Sequence, residues 1–139
     1  MDTVRILNQL LAIHGGSLPM YLTSAPPHRG FGDEKVWEAL TNVIDDQKLM
    51  MEKLSDHIEE LGGTPFHGEF PMDFTGMHDL SMDHILKTVV ERQKCEIEWI
   101  EHLSGSLESS SKANALAREA LGASKAHLQS LEECISAAA

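Results

Sequence analysis

Between Asp33 and Pro65 apolar residues return at helical spacing: Trp37, Leu40, Val43 with Ile44, Met50 with Met51, Leu54, Ile58 and Leu61. This is the one-sided stripe of an amphipathic helix. Asp33 is placed to cap its start, Glu34 sits where the helix dipole favours an anion, and Gly62-Gly63 with Pro65 stop it. Gln47 stands where the stripe calls for another apolar side chain. A first stripe from Thr3 reads Leu7, Leu10 with Leu11, His14, Ser17 with Leu18, and Tyr21. Pro19 lacks an N–H and crowds the carbonyl of Gly15, so the spacing predicts a kink or a restart at Ser17. A third stripe carries Met82, Ile85 with Leu86, Val89, Gln93, Ile97, Ile100, Leu103 with Ser104, and Leu107. The fourth carries Leu116, Ala120 with Leu121, Ser124, His127 with Leu128, Leu131, and Cys134 with Ile135, then frays into the terminal alanines.

The pattern therefore predicts four helices over residues 3–23, 33–61, 79–107 and 111–136 of one domain, 1–139. The first and third links are short, which sets neighbouring helices antiparallel. The link Gly62–His78 holds Gly, Pro, Phe and His without periodicity. Extended chain gives it a reach of about 56–61 Å, against about 43 Å for the second helix. It can run the length of the molecule. The expected fold is all-α, an up-down-down-up four-helix bundle with a long crossover between helices two and three.

Composition narrows the function. The net charge of −11 over 139 residues argues against binding nucleic acid, which needs Lys and Arg to neutralise phosphates. No run of about 18 apolar residues appears and the N-terminus lacks a signal-peptide core, so no membrane segment is expected and the cytoplasm is the default location. Cys95 and Cys134 fall at different heights of the expected second hairpin, about 15 Å apart along the axis, too far for a disulfide.

Each stripe loses its apolar character near mid-length: at His14, at Gln47, at Gln93, and at Ser124 with His127. Four helices turning polar at one height predict a buried polar cluster. Its amides and imidazoles must find partners, because each unsatisfied buried group costs about 1–3 kcal/mol.

These residues also carry a resemblance. LNQLLAIHGGSLPMYLTSA resembles the first helix of bacterioferritins, with His14 on the position of a ligand Glu and Tyr21 on that of a Tyr. DDQKLMMEKLSDHIEELGGTP resembles the second, with Gln47 on the Glu and Met50 on the His of a Glu-x-x-His motif. QKCEIEWIEHL is similar to the third helix of small bacterial (Dps-like) ferritins, with Gln93 on a ligand Glu. SKAHLQSLEE is similar to the fourth, with Ser124 and His127 on the Glu and His of a second motif. The likeness implies a ferritin-like fold, and in that family four carboxylates and two imidazoles hold two irons. Here the four carboxylate positions are His14, Gln47, Gln93 and Ser124, and Met50 replaces one of the two imidazoles. Iron prefers anionic oxygen, so ferroxidase activity is not expected. The family's haem-ligand Met falls on Lys48, so haem is not expected either.

The expectation is a non-catalytic binding or structural homologue, with His14 and His127 hydrogen-bonded to Gln47 and Gln93. The competing expectation is a rebuilt iron or zinc site around His14 and His127, with Met50 and an inward-turned Asp46 or Glu96 completing it. By analogy with ferritins the chain pairs as a homodimer or assembles into a larger homo-oligomer. Tyr21 reads as a packing residue, and the methionines as adaptable packing or an oligomer contact rather than a soft-metal set. His57, His84 and His102 lie beside their stripes and read as solvated. His67 and His78 in the long link are weaker candidates for metal ligands.

Overall fold

The computed structural model describes residues 2–138. Among these the chain is all-helical: α1 (Thr3–Gly15), α2 (Leu18–Ser24), α3 (Glu34–Glu60), α4 (Met82–Gly105) and α5 (Lys112–Ala138), with single 3-10 turns at Met72–Phe74 and Met77–Asp79. The first expected helix is thus two helices. Asp2 caps α1 by accepting from the Val4 N–H at 3.1 Å. Ser17 restarts the chain as the cap of α2, whose first turn takes Pro19 because the N–H missing there would have no helical partner. Helix α4 begins at Met82, close to the start expected near Asp79 or Ser81, with Ser81 Oγ accepting from the His84 N–H at 3.2 Å as its cap. Helix α5 continues to Ala138, and the expected fraying at Ala139 lies outside the described residues.

The cap expected of Asp33 does not form. Its carboxylate instead accepts from the Gly30 N–H at 2.8 Å, closing the loop before α3. The end of α3 follows expectation: Gly62, at φ +83°, donates to Glu59 and Gly63 donates to Ile58, both at 2.9 Å. This pair of bonds closes the helix through a left-handed glycine. Leu61, assigned to the stripe, is 47% exposed.

The apolar stripes meet in two clusters rather than one. The first joins Leu7, Leu10 and Leu11 of α1 to Leu54 and Ile58 of α3, Ile100 and Leu103 of α4, and Ala113 and Ala117 of α5. The second joins Leu18 and Leu22 of α2 to Leu40 and Val43 of α3, Ile85 and Leu86 of α4, and Leu131 of α5. Helices α3 and α4 therefore enter at the second cluster and leave at the first, while α5 runs the other way. His14, Gln47, Gln93 and Ser124 fall in the gap between the clusters in sequence, and all four are buried.

The link from α3 to α4 runs beside α1 and α2 over their whole length. Asn8 clamps its start, accepting from the Phe66 N–H at 2.7 Å and donating to the Thr64 carbonyl at 3.1 Å. At the end of α1 the His67 carbonyl lies where a side chain on Gly15 would stand, and a Cβ on Gly16 would come within 2.6 Å of the Glu69 carbonyl. The glycine pair makes room for this passing backbone. Farther on, Phe70 and Phe74 pack on Tyr21 with ring centroids at 5.4 and 5.7 Å, and Arg92 lies 4.5 Å over Phe74. Tyr21 is a packing residue, as its place on the stripe predicts. Met77 and Met82 fill the second cluster. No helix among the described residues is long and apolar enough to cross a membrane.

Candidate functional site

All six positions singled out in the sequence, His14, Gln47, Met50, Gln93, Ser124 and His127, line one cavity of about 170 Å³ at mid-height. Each sits on its helix where the stripe faces inward, so the helical period alone aims four helices' worth of polar side chains at one point. Ala120 and Ala123 of α5 complete the wall, and their small side chains are what leave room.

The hydrogen bonds are not the expected ones. His14 Nδ1 lies 2.9 Å from the Leu10 carbonyl one turn back, so the ring donates there. Burial lowers the His14 pKa below the ordinary 6.5, opposed in part by that same hydrogen bond. The ring is held neutral, and the lone pair of Nε2 is left on the cavity side. His127 Nε2 lies 2.7 Å from Asp46 Oδ2, across from α5 to α3. Neither imidazole bonds Gln47 or Gln93. Gln47 Oε1 instead accepts from Ser17 Oγ at 2.9 Å, which leaves its NH₂ end for the cavity. The amide of Gln93, only 3% exposed, and the hydroxyl of Ser124 have no hydrogen-bond partner among the described residues.

The cavity opens between α3 and α5. Exposed Asp46, Leu49, Lys53 and Glu119 form its mouth. Lys53 Nζ bridges both oxygens of Glu119 at 3.2 and 3.1 Å, so the polar side chains of the mouth stand as two pairs: Lys53 with Glu119, and His127 hydrogen-bonded to Asp46. Asp46 turns toward the site, one of the two acidic neighbours considered for it; Glu96 does not. Lys53 and Glu119 were invisible in sequence, because each lies off its stripe and only helix packing brings them together.

The remaining histidines are dispersed. His84 and His102 are exposed as expected, but His57 is 8% exposed and its ring donates to Glu60 at 3.3 Å. It lies one residue from Ile58, at the border of the buried face of α3. His67 approaches Ser55 Oγ at 3.4 Å and His78 approaches Asp79 at 3.6 Å, so the two do not form a shared site. Cys95 and Cys134 are both free thiols. Among the described residues no group of three or more His, Cys, Asp or Glu is placed to hold a metal ion.

A separate groove of about 600 Å³ lies between α1, the long link and α4, floored by Ala12, Ile13 and Pro71 and edged by Trp99. Glu96 faces it, and burial pushes its carboxyl up to about 7 against the pull of Arg92.

No family model, curated protein or solved structure matches this chain.

Proposed function

We propose that this chain is a ferritin-like, up-down-down-up four-helix bundle whose mid-bundle site binds without oxidising iron. The single observation that carries it is the convergence of His14, Gln47, Met50, Gln93, Ser124 and His127 on one cavity, from four stripes that resemble helices of bacterioferritins and small bacterial ferritins. The course of α3, α4 and α5 between the two apolar clusters agrees with that topology. The donors do not fit two irons. The carboxylate positions hold an imidazole, two amides and a hydroxyl, while Asp46 and Glu119 at the mouth are already paired. Exchanging carboxylates for neutral groups removes buried charges whose desolvation is costly.

The test is thermal unfolding with and without ferrous iron, alongside oxygen uptake. The melting temperature should stay unchanged and no iron-dependent oxygen consumption should appear. A stabilising shift with ferrous oxidation would overturn it, because a ligand that binds the folded state raises its stability.

A second, metal-binding reading has its own support. His14 gives Nδ1–H to a backbone carbonyl, and His127 gives Nε2–H to a carboxylate, the outer contacts that metal-ligating imidazoles usually make. Its mark would be one zinc per chain, lost in His14→Gln and in His127→Gln, with no redox chemistry.

A further inference from the structure

The inner surface of the cavity is uncharged. His14 is held neutral by its burial, and Gln47, Gln93, Ser124 and Met50 carry no charge; at the mouth Lys53 cancels Glu119, and Asp46 is hydrogen-bonded by His127. A charged occupant among these inner side chains would give up its hydration with no counter-charge beside it, since Asp46 stands out at the exposed mouth. The same surface has unused hydrogen-bonding capacity of both kinds. His14 Nε2 can only accept, the Gln47 NH₂ can only donate, and Gln93 and Ser124 can do either. Gln93 is the decisive group: more than nine-tenths buried, lining the cavity, and without a partner among the described residues. Its amide atoms are not sealed off from the cavity, so they can pair with whatever fills it. The volume of about 170 Å³ falls below the roughly 300–1,000 Å³ of sites for drug-sized ligands, so the occupant has few heavy atoms.

We infer that the mid-bundle cavity takes one small uncharged molecule that both donates and accepts hydrogen bonds, of the class of a short primary amide, entering between α3 and α5. The molecule's N–H faces His14 Nε2 and its carbonyl faces the amide ends of Gln47 and Gln93. This rests on the mid-bundle site being a binding site, as proposed above.

Three probes of nearly one shape separate the chemistry: propionamide, propionate and propylammonium. Binding is followed by NMR through the ring nitrogens of His14, assigned by their disappearance in His14→Gln. Propionamide should shift them saturably at millimolar concentration, and neither ion should. In Gln93→Leu the affinity should fall by about tenfold or more, the value of one good hydrogen bond to a buried site. The melting temperature of that variant should hold, because the amide has no hydrogen bond among the described residues to lose. Should Gln93→Leu fail to fold, Gln93→Met, nearer in shape to the amide it replaces, takes its place with the same expected loss of affinity. Binding of either ion as tightly as propionamide, no shift with propionamide, or full affinity in the variant would each overturn the inference. A protein that takes neither iron nor amide overturns only this inference, whereas iron oxidation overturns the scaffold proposal.

Discussion

Two titrating side chains, buried His14 and half-buried Glu96, pull stability in opposite directions with pH. Glu96 has its carboxyl raised from an ordinary 4.5 to about 7 by burial, so the folded chain favours its protonated form. Its contribution is fully present below pH 4.5 and is lost as pH rises through about 7. Glu96→Gln keeps the shape without the charge. It should match wild type near pH 5 and exceed it by about 1–3 kcal/mol near pH 8, read from urea unfolding at both values. His14 is the converse. Its pKa lies below 6.5, so the neutral ring contributes stability above that pH and the contribution is lost on acidification below it. His14→Gln cannot titrate, and its melting temperature should lose the part of the acid-side fall that wild type owes to this ring.

At the scale of elements, the long link is held by backbone proximity as much as by side chains. A methyl on Gly15 would meet the His67 carbonyl, so Gly15→Ala should destabilise by about 1–3 kcal/mol, the usual range for overpacking. Gly122 gives the contrast: it lies within α5 with nothing near its missing Cβ. Gly122→Ala should therefore stabilise by about 0.5–1 kcal/mol, through helix propensity and a less flexible unfolded chain. Thermal unfolding of the two variants side by side checks both signs. The same pair marks how far the sequence could be read. Period 3.6 located the helices and, with them, all six inner residues of the cavity, because both follow from which face of a helix an amino acid occupies. Gly15-Gly16 read as a disturbance of α1, since their reason is a segment more than fifty residues away. Asp33 read as a cap because its type suits one, but a nearer N–H, that of Gly30, takes its carboxylate. The mouth pairs Lys53 with Glu119 and Asp46 with His127 needed the packing of α3 on α5, which no local pattern encodes.

Over the whole molecule the net charge of −11 is spread on the outer faces of the helices, where like charges repel. Added salt screens this beyond about 8–10 Å at physiological strength, so the melting temperature should rise from low salt to about 0.15 M sodium chloride. A fall would mean that the surface pairs, such as Lys112 with Glu60 at 2.8 Å, outweigh the repulsion. The polar waist has a last consequence. Because apolar contact is interrupted at mid-height, each end of the molecule holds itself together through its own set of leucines. Either end can loosen while the other stays shut, so amides around Leu7 and Ile58 and amides around Leu40 and Leu131 should trade hydrogen for deuterium as two separate groups, each with its own opening free energy.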